Sequence, residues 1–162
     1  MFGHLALVQY LHKVVKAPYS NGAMNEASCN GHLDVVQYLH EVVKANCTTD
    51  AIDKASEYGH LAVVKYLHKV VKAPCTVKAM DRASANGHLS VIQYLYQDIH
   101  AKCTYHAIDS ASKYGHFAVV KYLYRVVEAP YTNALQLAHD NHHSAIFSFL
   151  YRNVHLKRNL AS

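Results

Sequence analysis

The chain has 162 residues, is half apolar, and carries thirteen Tyr and no Trp. Sixteen Lys and Arg against eleven Asp and Glu leave a net charge of +5, scattered rather than gathered into the basic stripe a nucleic-acid surface needs. Three Pro and six Gly are too few for a mainly β or disordered chain, no run has the ~18 apolar residues of a membrane span, and Met1-Phe2-Gly3-His4 does not open like a secretory leader.

Residues 4–16 read as a helix. Leu5, Val8, Leu11 and Val15 recur at helical spacing, with Leu7, Tyr10 and Val14 widening the apolar face. Pro18 stops it. Its opening, Gly3-His4-Leu5, returns as Gly31-His32-Leu33, Gly59-His60-Leu61, Gly87-His88-Leu89 and Gly115-His116-Phe117, each 28 residues after the last. A worn copy begins one residue early at His142-His143-Ser144. A fixed period of this size marks a solenoid of stacked helical units. The expected organisation is all-α, one array over 1–162: a half repeat at 1–18, then repeats at about 19–46, 47–74, 75–102, 103–130 and 131–158.

Each full repeat starts with Ser or Thr (Ser20, Thr48, Thr76, Thr104, Thr132), a helix N-cap by its chemistry. A short first helix follows with Ala-x-x-x-Ala: Ala23/Ala27, Ala51/Ala55, Ala79/Ala83, Ala107/Ala111, Ala134/Ala138. Residues four apart share a face, and Ala there lets helices approach closely. Met24, Ile52, Met80, Ile108 and Leu135 supply the larger apolar group. Gly31, Gly59, Gly87 and Gly115 then end that helix in a left-handed turn. The second helix, about 60–72 in one repeat, is expected to bury Leu61, Val64, Leu67 and Val71, with Val63, Tyr66 and Val70 on the adjoining stripe. Connections onward, such as Ala73-Pro74-Cys75, are short. Alternating Met/Ile and Asn/Tyr positions (Met24, Ile52, Met80, Ile108; Asn30, Tyr58, Asn86, Tyr114) lay a 56-residue period over the first.

These residues resemble the ankyrin repeat. Asp50-Ala51-Ile52-Asp53-Lys54-Ala55-Ser56 stands where that family has Thr-Pro-Leu-His-x-Ala-Ala, and Gly59-His60-Leu61-Ala62-Val63-Val64-Lys65-Tyr66-Leu67 matches its Gly-His and Val-Val-x-Leu-Leu segment. The period is shorter than the family's usual ~33, so the resemblance implies an ankyrin-like solenoid with β-fingers cut to short loops. Asp53, Asp81 and Asp109 replace the family's His. The resemblance also implies a non-catalytic module that binds a protein partner.

Periodic chemistry argues for structure rather than for an active site. The His ladder (His4, His32, His60, His88, His116, His143) would place equivalent rings ~8–10 Å apart, whereas zinc draws three or four ligands to ~2 Å. We expect each His to brace its Gly turn and expect no metal, cofactor or small-molecule substrate. Cys47, Cys75 and Cys103 share one slot, too far apart at that spacing for disulfides, which need Cα atoms within ~7 Å. With Cys29 they read as half-buried thiols of a reducing, intracellular and cytoplasmic setting. Asp53, Asp81 and Asp109 should bond backbone N–H groups of an adjacent turn. The Tyr ladder (Tyr10, Tyr38, Tyr66, Tyr94, Tyr122, continued by Phe149) should pack between second helices, not stack on bases.

Slots that vary between copies are free to serve a partner. On the first helices these are Asp50, Lys54, Glu57, Lys78, Arg82, His106, Ser110 and Lys113, joined by Tyr105 of the preceding loop in a strip of mixed sign. Mixed sign suits a charged protein surface better than uniform phosphate. The alternative is nucleic-acid binding through Lys13, Lys16, Lys44, Lys69, Lys72 and Arg125 of the second helices. At the N-terminal end Leu5, Val8 and Leu11 lack one packing partner, so that end either continues an array or associates with another molecule.

Overall fold

A computed structural model describes the backbone of residues 4–16 and 22–160 and the side chains of 5–16 and 22–153. Gly3, Pro18, Ser20 and the His4 side chain, which carry parts of the sequence reading, lie outside them. Among the described residues there are eleven α-helices and no strand. The first helices are α2 (Gly22–Cys29), α4 (Thr49–Glu57), α6 (Val77–Ala85), α8 (His106–Lys113) and α10 (Ala134–Asp140). The second helices are α1 (His4–Tyr10), α3 (Leu33–Tyr38), α5 (Leu61–Tyr66), α7 (Leu89–Gln97), α9 (Phe117–Tyr122) and α11 (Ser144–Leu160). Each first helix packs on the next first helix and on its own second helix, so the chain is a solenoid of helix pairs.

The core follows the slots. Met24, Ile52, Met80 and Ile108 are fully buried, as are Val36, Val64, Ile92 and Val120. Burying each such side chain stabilises by about 1.5–3 kcal/mol. The paired alanines from Ala51 to Ala111 are also fully buried. Among the described residues no β-finger separates the pairs; short loops do.

Two devices join one pair to the next. The first is a Thr latch. Thr76 donates its N–H (2.9 Å) and hydroxyl (2.5 Å) to the buried Asp53 carboxylate of the preceding pair, while its Oγ1 accepts from Lys78 N–H to cap α6. Thr104 does the same with Asp81 and His106. Thr48 caps α4 by accepting from Asp50 N–H, and its hydroxyl donates to Asn25, which replaces Asp in that slot. Thr132 departs from the expected cap. It donates to Asp109, but the residue before α10 is Asn133 and the helix has no side-chain cap.

The second device is the Gly-His turn. Gly59 lies at φ +78°, with its N–H donated to Ser56 C=O and the His60 N–H to Ala55 C=O, the Schellman closure of α4. His60 then sits at φ −81°, ψ 68°, an inverse γ-turn closed by Leu61 N–H to Gly59 C=O (2.9 Å). That geometry turns the chain sharply and aims the His ring away from its own helix, which it does not cap. Its Nε2 bonds Cys29 C=O at 3.0 Å. The braced turn is therefore the one in the previous pair, not the turn that bears the His. His116 to Ala85 C=O and His143 to Lys113 C=O, both 3.0 Å, repeat the arrangement.

The second helices depart from the sequence expectation at their ends. α1, α3, α5 and α9 widen into π turns, Leu11–Val15, Leu39–Val43, Leu67–Val71 and Leu123–Val127. Each stops on a non-glycine residue in the left-handed region: Lys16, Lys44, Lys72 and Glu128. Because a π turn holds more residues than an α turn, the first valine of each closing Val-Val pair rotates out of the apolar stripe. Val14, Val42, Val70 and Val126 are exposed, so Val70 does not join the buried face. At the N-terminal end Leu5 and Val8 do pack on the core; the large exposed apolar groups are Leu7, Tyr10, Val14 and Val15.

Candidate protein-interaction surface

The ladder residues are occupied by the stack. Besides its bond to Cys29, the His60 ring fills the space where a Cβ on Gly31 would stand, 2.5 Å from Nδ1. Among the described residues no three His, Cys, Asp or Glu gather to hold a metal. Burial pushes the Cys47 and Cys75 thiols up, and the Cys103 thiol to about 11, so none is an activated thiolate.

The tyrosines of the second helices are likewise tied between pairs. Tyr38, Tyr66 and Tyr94 hydroxyls meet Nδ1 of His12, His40 and His68 at 2.8, 3.1 and 2.9 Å, with rings edge to face. Tyr66 also donates to Glu41 at 2.9 Å, which makes His40 the donor in their bond. Burial and the Glu41 carboxylate push the Tyr66 phenol up to about 12. These His-Tyr couples were not anticipated, although His12, His40 and His68 share one slot and face the Tyr ladder.

The basic residues of the alternative reading do not form a row. Lys16, Lys44 and Lys72 are helix caps, Lys69 lies over the Tyr94 ring and Arg125 over Phe149. Glu41 interrupts the Lys13/Lys69 slot, and Glu128 the Lys44/Lys72 slot.

The variable strip is carried on α4, α6 and α8, which pack side by side. Six of its nine residues meet one another or a residue beside the strip. Arg82 of α6 bonds Glu57 of α4 at 2.7 Å, and Lys54 reaches Glu26 of α2 at 3.4 Å, the carboxylate raising the Lys54 pKa. Tyr105 and His106 stack at 4.1 Å. Lys113 lies over the exposed Tyr114 ring at 5.2 Å. Asp50 and Lys78 are exposed without an ion pair among the described residues, and Ser110 is half-buried. The two inter-helix pairs were legible as opposite charges one repeat apart, but not as contacts. They cancel four charges and leave Asp50, Lys78 and Lys113 outside any ion pair among the described residues.

Tandem helix pairs, joined by Gly-His turns and Thr latches and presenting one variable face, define a helical repeat scaffold. A family model of ankyrin repeats (many copies) matches residues 52–96 and 80–124. Residues 52–124 are thereby matched as ankyrin repeats, which are generally protein–protein interaction modules. A search of curated proteins returned no match. No described helix is long and apolar enough to cross a membrane.

Proposed function

We propose that the chain is a non-catalytic recognition module that binds a protein partner along the strip on α4, α6 and α8. The observation that carries this is the division of labour between slots. Fixed slots are consumed by joints between pairs, whereas the residues that differ from copy to copy stand at the surface of neighbouring helices. Tyr105 belongs to a residue type that dominates interface energy when buried by a partner. Mixed unpaired charge, Asp50 with Lys78 and Lys113, suits a polar protein surface.

Affinity purification from nuclease-treated lysate tests this. Lys78→Ala with Tyr105→Ala leaves both inter-helix ion pairs intact, and Lys69→Ala with Lys72→Ala is the control. Proteins retained by the wild type and the control but lost from the test variant support the strip. Loss with the control alone moves the site to the second helices. Retention that nuclease abolishes replaces the protein partner with nucleic acid.

A further inference from the structure

We propose a second binding site, separate from the strip, in the groove between the loop leaving α7 and the loop leaving α9. Its ligand is an extended protein segment with one acidic and one basic side chain flanking a short aliphatic stretch. The first reason is a break in periodicity. Where α5 ends His68-Lys69-Val70-Val71-Lys72-Ala73-Pro74, α7 ends Tyr96-Gln97-Asp98-Ile99-His100-Ala101-Lys102. Asp98 takes the exposed valine slot, the helix stays α-helical through Gln97 instead of widening, and Lys102 puts a cation in the slot that holds Asn46, Pro74 and Pro130 in other copies. Features that serve the stack recur every 28 residues; this one does not.

The second reason is that the break coincides with a cavity of ≈ 530 Å³, larger than the grooves at the two ends of the array, ≈ 350 and ≈ 280 Å³. The volume falls within the range of ligand sites. Ala101, Val127 and the buried Ala129 give it an apolar lining. Tyr96 donates to Val126 C=O at 3.2 Å and so ties α7 to the π turn of the next pair. Both loops are fixed by the backbone: Ala101 N–H reaches Leu95 C=O at 2.9 Å, and Ala129 N–H reaches Leu123 C=O at 3.0 Å. The groove is thus held open before any ligand arrives.

The third reason is charge. Lys102 and His100 line the groove from one loop and Glu128 from the other, all exposed. Neither Lys102 nor Glu128 has an ion pair among the described residues. Opposite charges held on separate loops complement a segment carrying one carboxylate and one ammonium, with aliphatic groups against the alanines between them. Binding is non-covalent, because burial raises the Cys103 thiol that shares the lining.

The test titrates ¹⁵N-labelled full chain with the blocked peptides Ac-Glu-Leu-Leu-Lys-NH₂, Ac-Gln-Leu-Leu-Gln-NH₂ and Ac-Lys-Leu-Leu-Lys-NH₂. The first is expected to shift the amides of Ala101, Cys103, Val127 and Ala129, and the neutral peptide to bind about threefold to tenfold more weakly. Lys102→Glu, an exposed change, is expected to turn the preference to the doubly basic peptide. Shifts confined to α4, α6 and α8, no shifts at millimolar peptide, equal affinity for the neutral peptide, or a preference unchanged by Lys102→Glu would each overturn the proposal.

Discussion

Gly87→Ala separates the two demands placed on the conserved turn. Gly87 lies at φ +77°, which costs an L-residue roughly 1–2 kcal/mol. A Cβ there would also stand 2.6 Å from Nδ1 and 2.8 Å from Cε1 of His116. The ring has to swing away, giving up its 3.0 Å bond to Ala85 C=O, a net loss of about 0.5–1.5 kcal/mol. The sum is about 1.5–3.5 kcal/mol for Gly87→Ala. His116→Ala alone should cost about 1–2 kcal/mol, chiefly for the orphaned carbonyl. In that background the ring is gone, and Gly87→Ala should cost only the backbone part, about 1–2 kcal/mol. Urea unfolding followed by circular dichroism on the four proteins closes the cycle. Single costs that add to within ~0.5 kcal/mol in the double variant would refute the reasoning, because they would make turn and ring independent.

His142 occupies the glycine slot of the last pair at φ 61°, so His142→Gly should stabilise by about 0.5–1 kcal/mol in the same assay. Thr76→Val removes a hydroxyl from the buried Asp53 carboxylate and from the α6 cap; a loss of about 1–3 kcal/mol is expected, measured as a lowered urea midpoint. Burial, and secondarily His60 and His116 nearby, holds the His88 imidazole below its ordinary 6.5, with a bond to Glu57 backbone opposing. The folded state therefore favours neutral His88, and its contribution is fully present above pH 6.5 and lost as pH falls from there through the lower folded pKa. Melting temperatures at pH 7.5 and 5.5 should differ less in His88→Gln than in the wild type. Deleting residues 75–102 should leave a shorter folded array, since Asp53 would then meet Thr104 and Gly59 would meet His116 in their ordinary roles; loss of the helical signal would contradict modular stability.

The parts of the fold that depend on a residue and its near neighbours in sequence were legible. Ala51/Ala55, the glycine of Gly59-His60 and the threonine before α6 announce a helix face, a left-handed stop and a cap through local chemistry alone. What the period could not give was direction between copies. Nothing in Gly59-His60 says that the ring serves Cys29 in the preceding pair, because that depends on the inverse γ-turn at His60. The outward rotation of Val70 was hidden for a similar reason. A helical wheel assumes a constant pitch, and the π turn from Leu67 to Val71 breaks it. For the strip, spacing identified the variable residues but not that Arg82 is engaged by Glu57, which depends on how closely α4 and α6 approach.

The alanines between first helices have a consequence for shape. Along α4, α6 and α8 the contacts are made by Ala51, Ala55, Ala79, Ala83, Ala107 and Ala111, while the neighbouring second helices meet through Tyr66, Tyr94 and Tyr122 and longer aliphatic groups. Layers thinner on one side than on the other are wedges, and a row of wedges bends toward its thin side. The variable strip then lines the inside of an arc. A flat partner can touch such a surface only at its rims, whereas a rounded one meets several helices at once. Lengthening the row by whole pairs would deepen the arc without altering a single joint, so the number of repeats sets how far the arc closes.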